Sequence, residues 1–273
     1  MKVLFIKPPN RGLNHEIIRF IPIGLAYLAA ACRVKGHDVR IFDSLTYFQD
    51  NRVLHRNELS EVQRRKVDSH PVIKNIIHWG ASYDRIRQEL VEQMPEVVCI
   101  TSMHSPSYDT AYETARIVKQ TLPDAVTIIG GSHASIAYEH IIDHTDINYI
   151  VLAEGENSLP QLLHNLECNQ SPTDIDGIVF RIDDQDIANR MTKGGISYYY
   201  NPKIEWISNL DNNLYPAVDL LDFEKYDETS VLITSRGCPF SCSFCTVHAT
   251  VGKEYRYRSA ENVVAEIEWY INN

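Results

Sequence analysis

The sequence lacks the long apolar run that a membrane span requires. The longest uninterrupted run near the start, Ile23 to Cys32, is ten residues and includes Gly24 and Tyr27, whereas a spanning helix takes roughly 20. Met1 to Pro9 also lacks the longer apolar stretch and small-residue cleavage site of a secretory signal. A cytoplasmic protein with no membrane span is expected. Basic charge is scarce too: 26 Lys and Arg face 36 Asp and Glu, for a net charge of -10. No general attraction to nucleic acid or anionic membrane follows, and the expected partner is a small molecule. With 12 Gly and 12 Pro among 273 residues, 44% hydrophobic and 23% charged, the composition excludes low complexity and disorder. The length suits one large domain or two modest ones, and two are expected. Cysteines number six, three of them within residues 238–245, a distribution unlike a disulfide framework.

What is present is a regular alternation. Val3 to Ile6 is a short apolar run ending at Pro8-Pro9, and Pro22 to Val34 carries apolar residues at helical spacing, closed by Gly36. Asp38 to Phe42 reads as the next strand. Further strands are expected at 96–101, 125–129 and 147–152, and helices at 108–122, 135–142 and 158–166. The strands are apolar throughout, which predicts burial on both faces as in a parallel sheet. Residues 1–168 are therefore expected to form an α/β domain, a doubly wound five-stranded parallel sheet. Between Ser44 and Ser82 the pattern lapses into a charged stretch with His55, Arg56, Arg64, Arg65, Lys66, His70 and His78. It is either a solvated excursion or a lid over a ligand at the sheet edge.

Residues 169–228 read as a linker holding a β-hairpin, with strands at 177–182 and 196–200. Thr229 to Ser235 then reads as a β-branched strand running into Arg236-Gly237-Cys238. Ser259 is an N-cap candidate for a helix with Val263, Val264, Ile267 and Tyr270 on one face.

Cys238, Cys242 and Cys245 form C-x3-C-x2-C directly after that strand. Thiolates ligate iron-sulfur clusters, and three on one loop can hold three irons of a four-iron cluster while the fourth stays open to a second molecule. The alternatives are a zinc site completed by His248, and a coincidence of cysteines.

The run Ser235-Arg236-Gly237-Cys238-Pro239-Phe240-Ser241-Cys242-Ser243-Phe244-Cys245 resembles the radical S-adenosylmethionine (SAM) enzymes. The resemblance implies a 4Fe-4S cluster on Cys238, Cys242 and Cys245, with SAM chelated to its unique iron. One electron from the cluster then cleaves the sulfonium to a 5'-deoxyadenosyl radical. Phe244 falls where that family carries an aromatic residue near the adenine. An electron donor such as flavodoxin or ferredoxin is implied as partner.

The N-terminal half resembles the cobalamin-binding, Rossmann-like domain that precedes the barrel in one branch of the same superfamily. The matching pieces are Pro22 to Ala30, Gly36-His37-Asp38-Val39, Gly130-Gly131-Ser132-His133-Ala134-Ser135 and Glu154-Gly155-Glu156. Gly130-Gly131 ends a buried strand at the carboxyl edge of the sheet, where absent side chains let a bulky ligand lie against backbone. The resemblance makes Ser102, Ser105, Gly130, Gly131 and Glu154 the contact candidates for the nucleotide tail of cobalamin. The D-x-H-x-x-G motif that supplies a cobalt-ligating histidine in the methionine synthase type is replaced by Lys7-Pro8-Pro9-Asn10-Arg11-Gly12. Asp68-Ser69-His70 mimics only its first half, with Ile73 in place of the glycine. His15, His104 and His133 are other imidazoles near candidate loops, yet no histidine lower ligand is expected.

Residues 229–273 hold one βα unit, whereas a full (β/α)8 barrel takes about 250 residues. The chain is expected to be the N-terminal part of a longer enzyme or a truncated gene product. The expected function of the complete protein is radical methylation of an unactivated carbon. The alternatives are an oxidative cyclase or rearrangement enzyme of the same architecture, a non-catalytic corrinoid carrier or sensor with a vestigial cysteine loop, and a zinc-stabilised binding module.

Overall fold

A computed structural model describes residues 1–12, 18–69, 75–182, 189–229 and 231–272. His15, His70 and Ile73 lie outside the described residues. In chain order the elements begin with β1 (Lys2–Lys7), β2 (Asn10–Gly12), α1 (Ile23–Val34) and β3 (Asp38–Asp43). They continue with β4 (Arg52–Val53), α2 (Glu61–Ser69), β5 (Ile77–Trp79), α3 (Tyr83–Gln93), β6 (Val97–Thr101), α4 (Tyr108–Thr121) and β7 (Val126–Gly130). Next come α5 (Ser132–Ile141), β8 (Tyr149–Val151), α6 (Ser158–Glu167), β9 (Ile178–Arg181), β10 (Arg190–Lys193) and β11 (Ile196–Asn201). The last are β12 (Ser235–Arg236), α7 (His248–Val251), β13 (Arg256–Tyr257) and α8 (Ala260–Asn272).

The main sheet has the order β10-β11-β9-β8-β7-β6-β1-β3. The five strands β3, β1, β6, β7 and β8 are parallel, as the apolar runs require. In β1, Leu4 and Ile6 enter one core with Ile86, Leu90 and Ile117. Val3 and Phe5 enter a second core with Leu25, Ala29 and Leu162 on the opposite face. Successive side chains alternate across a strand, so a run buried on both faces must be apolar at every position. The sheet is doubly wound, with α3, α4 and α5 over the first core and α1 and α6 over the second. Each large side chain buried this way contributes on the order of 1.5–3 kcal/mol.

Helix α3 went unanticipated because its pattern is thin: Ile86 and Leu90, both fully buried, stand among charged residues. Its boundaries are local chemistry. The Ser82 hydroxyl accepts from the Arg85 N–H at 3.3 Å, and Met94 closes the helix in the left-handed region.

The expected linker hairpin is not a separate connection. Strands β9 and β11 pair antiparallel, as the sequence suggests, but β9 also pairs antiparallel with β8, and β10 extends the edge. Ile178, Val179, Tyr198 and Tyr199 are buried apolar groups that a solvated linker would expose. Rings at Tyr149, Phe180 and Tyr199 follow one another across the strands at 5.6 and 5.1 Å. The Arg181 guanidinium donates to the carbonyls of Ile142, His144, Thr145 and Ile147, sealing the joint.

The described residues of 44–82 pack with β2 and in part against the first core, where Ala81 is buried. Strands β2, β5 and β4 form a three-stranded antiparallel sheet, and Leu54, Leu59, Val67 and Ile76 make a private core. The expected strand from Thr229 to Ser235 is much shorter than its composition suggests. Only Ser235–Arg236 is paired, to β13; just before it, the Thr234 carbonyl accepts from Arg258 N at 2.9 Å and the Ile233 carbonyl from the Arg258 guanidinium at 3.2 Å. Helix α8 starts as expected, with Ser259 Oγ accepting from the Asn262 N–H at 3.2 Å. Its buried residue, however, is Glu266, while Val264 and Ile267 are exposed. The glutamate is drawn inward by Arg258, to which it is ion-paired. No helix among the described residues is long and apolar enough to cross a membrane.

Candidate functional site

In an open parallel sheet, ligands bind beyond the carboxyl ends of the strands where the order reverses, because neighbouring loops diverge there. Here the reversal falls between β1 and β6, whose chain connections leave in opposite directions along the sheet. A cavity of ≈ 760 Å3 opens at that edge. Its floor includes Ser102, Gly130, Gly131 and Glu154 from the loops after β6, β7 and β8. Phe5, Leu25, Leu28 and Leu159 make its inner wall largely apolar. Ile233, Ser235, Arg236 and Gly237, the residues that lead into the cysteine loop, form part of the same wall.

Ser102 is 3% exposed, and its hydroxyl is buried with no hydrogen-bond partner. Its backbone is fully used: the N–H donates to Gly130 O at 2.7 Å and the carbonyl accepts from His133 N at 2.9 Å. A buried hydroxyl without a partner costs about 1–3 kcal/mol, which a ligand acceptor or donor would offset.

The two glycines differ in their reasons. Gly131 has φ 102 and ψ 179, a region essentially closed to other residues, and a Cβ there would stand 2.8 Å from Ser102 O. A Cβ on Gly130 would stand 3.3 Å from Val151 O, so this glycine mainly keeps the cavity floor open. Ser135 links the neighbouring loop: its hydroxyl donates to Gly131 O at 2.9 Å and accepts from Ala153 N at 2.8 Å.

Glu154 lines the cavity, but both its oxygens are already engaged. It accepts from Arg256 at 2.7 and 3.0 Å and from Ile207 N at 3.1 Å, and it pairs with Arg236 at 3.3 Å. Burial opposes its ionisation most strongly, yet the Arg256 hydrogen bond, the Ile207 N–H and the two arginine charges outweigh it and hold its pKa below the ordinary value. Structurally, Glu154 ties the loop after β8 to the C-terminal segment. The arginines that complete this tie were not singled out by the sequence reading, although one of them sits two residues before the first cysteine of the motif.

Ser105 is outside the cavity wall; its hydroxyl meets His133 Nδ1 at 2.9 Å. His133 is 8% exposed and stacked on Tyr108 at 5.3 Å, so it belongs to packing, and burial lowers its pKa. His104 does line the cavity. Among the described residues of the stretch 44–82, only Leu45 does. Strands β4 and β5 of that stretch pair with β2, whose Asn10 also lines the cavity.

Cys238, Cys242 and Cys245 are free thiols on a loop that is exposed from residue 239 onward. The donor set suits an iron-sulfur cluster: three thiols on one accessible loop whose base reaches the cavity wall. Among the described residues no three His, Cys, Asp or Glu side chains are gathered as a metal group. His248 Nε2 is bonded to the Cys238 carbonyl at 2.9 Å, which leaves its Nδ1 as the ring nitrogen a metal would use. Phe244 is 88% exposed, so it is not part of a core. A second groove of ≈ 730 Å3 lies between α1 and α6, where His37 is already paired with Glu167 and none of the unpartnered buried polar atoms is found.

Comparison with known proteins agrees with this geometry. The B12 binding domain family matches residues 19–163, just over half of the chain. The chain is 28% identical to a cytidylyl-2-hydroxyethylphosphonate methyltransferase of Streptomyces wedmorensis, over 97% of this chain and 51% of the relative. It is also 28% identical to an anaerobic magnesium-protoporphyrin IX monomethyl ester cyclase of Rubrivivax gelatinosus, over 98% of this chain and 42% of the relative. The fold matches the cobalamin-dependent SAM radical enzyme OxsB with aqua-cobalamin bound, at TM-score 0.70 and 16% identity, over 99% of this chain and 32% of that one. The chain thus spans about half the length of the curated relatives it matches. With its matched domain covering just over half of its length, the chain belongs to the B12 binding domain family.

Proposed function

We propose that this chain is the cobalamin-binding and cluster-loop portion of an enzyme that cleaves SAM reductively and transfers a methyl group to an unactivated carbon. The observation that carries this reading is the shared cavity, walled on one side by loops of the B12 binding domain and on the other by the residues entering the cysteine motif. Bound together, the cluster with SAM supplies a carbon-centred radical and the corrinoid supplies a transferable methyl group.

The chain's own residues then divide the work. Gly130 leaves room on the cavity floor and Ser102 offers its unpartnered hydroxyl to the corrinoid tail. Phe5, Leu25, Leu28 and Leu159 exclude water from the inner wall. Cys238, Cys242 and Cys245 hold the cluster once their loop closes around it, and closure brings the exposed Phe244 ring toward the adenine of SAM. The substrate is a small molecule, the electron donor is a flavodoxin or ferredoxin, and the setting is the cytoplasm. Oxidative cyclisation is the second reading, favoured by the likeness to the cyclase of Rubrivivax gelatinosus.

The test is anaerobic reconstitution of the chain with iron, sulfide and hydroxocobalamin, followed by metal analysis and the visible spectrum. Bound corrinoid with about four irons is the expected result. Corrinoid without iron would instead identify a carrier domain, and zinc without corrinoid would overturn the reading of both halves.

A further inference from the structure

The residue before the cysteine motif's glycine is held more tightly than the motif itself. Arg236 is only 9% exposed at its side chain, although the loop beyond it is open to solvent. Its guanidinium donates to Glu156 at 2.6 Å, pairs with Glu154 at 3.3 Å and lies 5.8 Å over the Tyr27 ring of α1. Three contacts from two elements of the B12 binding domain thus converge on one side chain of the C-terminal segment. An arginine fork between two carboxylates is directional, so it fixes orientation as well as distance.

The backbone transmits that fixation to the motif. Gly237 follows with φ +91, and a Cβ there would meet Glu254 O at 1.8 Å, so only glycine lets the turn pack this closely on the segment before β13. Cys238 N donates to Gly252 O at 3.3 Å, and its carbonyl is held by His248. Movement at Arg236 therefore moves Cys238. Glu154 and Glu156 also line the cavity, so the same carboxylates face the cofactor cavity and grip the base of the cysteine loop.

We propose that Arg236 is a positioning residue: held by Glu154 and Glu156, it sets the place of the cysteine loop over the carboxyl edge of the parallel sheet. It thereby sets the separation of the two cofactors, an inference that rests on the cofactor reading above. Neither Arg236 nor Glu156 need touch a cofactor to do this.

The test is paramagnetic resonance of holoprotein reconstituted with iron, sulfide and hydroxocobalamin, then reduced so that the cluster and cob(II)alamin both carry unpaired spin. Arg236→Gln is expected to retain both cofactors at the wild-type stoichiometry but to lose the wild-type magnetic coupling between them. Glu156→Ala removes the shorter contact while leaving Glu154 in place, and is expected to shift the coupling in the same direction. It serves if Arg236→Gln does not fold. Arg33→Gln, which breaks an exposed pair with Asp219, should leave the coupling unchanged. Wild-type coupling in the folded Arg236 and Glu156 variants would overturn the positioning role alone. A wild-type protein that takes up only one cofactor would overturn the cofactor reading and this inference with it.

Discussion

Glu154 and Arg256 meet through two hydrogen bonds, 2.7 and 3.0 Å long, with side chains only 3% and 4% exposed. The pair joins the loop after β8 to β13, two segments about a hundred residues apart in the chain. Whether such a pair exceeds an apolar substitute in stability is a separate matter, but removal of one partner strands a buried charge.

That asymmetry gives the first prediction. Glu154→Ala should lower stability by about 3–5 kcal/mol, because Arg256 is left uncompensated inside. Urea unfolding should report it, with Trp206 as a local probe, since the Arg256 guanidinium lies 5.5 Å over its ring. A midpoint unchanged from the wild type would show that the pair is replaceable.

The same carboxylate shapes the acid limb of stability. Its folded pKa lies below the ordinary 4.5, so the unfolded chain takes up its proton first. The stabilisation is therefore complete above 4.5 and is lost as pH falls through the depressed folded value. His37, His78, His133 and His144 add an earlier step: burial lowers the pKa of each from 6.5, so their contributions begin to fade as pH drops through 6.5. Thermal melting across this range should show both steps. Glu154→Gln should reduce the lower one, leaving the part carried by Glu58, Glu167, Asp219 and Asp227, which are lowered by their own ion pairs.

The two glycines of the cavity floor should separate on substitution. Gly131→Ala should destabilise the fold by about 1–3 kcal/mol, since its backbone conformation excludes a side chain. Gly130→Leu should leave helix content intact while abolishing retention of hydroxocobalamin on gel filtration. Retained corrinoid in a folded Gly130→Leu protein would place the tail elsewhere.

For the cysteine loop, Cys242→Ala should remove iron and sulfide after reconstitution while corrinoid is still taken up. His248→Ala should leave iron content unchanged, because the cluster reading uses only the three thiols as ligands. Zinc retention that depended on His248 would reverse this assignment.

Much of the architecture is legible in local pattern. The continuously apolar runs around Val3–Ile6 and Val97–Ile100 announce strands buried on two faces, since alternation would be needed only if one face met water. The cysteine spacing is equally local. Helix α3 is hidden because two leucine-sized contacts per turn pair are enough for a helix packed on one side, and its other face is charged. The edge hairpin is legible as a pair of strands, but its docking on β8 is not, because which strand accepts another depends on surfaces assembled from distant segments.

The candidate site divides along the same line. By themselves, the residues of the sequence determined the alternation of strands and helices, the glycines at the end of β7 and the three thiols on one short loop, all features carried by neighbours a few positions apart. Only the tertiary structure decided that Ser105 leaves the cavity, that Glu154 is engaged by Arg256 and Arg236, and that Glu266 is the buried face of α8. The physical reason is that a charged side chain can be buried only where an opposite charge meets it. In this protein those partners come together only when the sheet and the C-terminal segment pack.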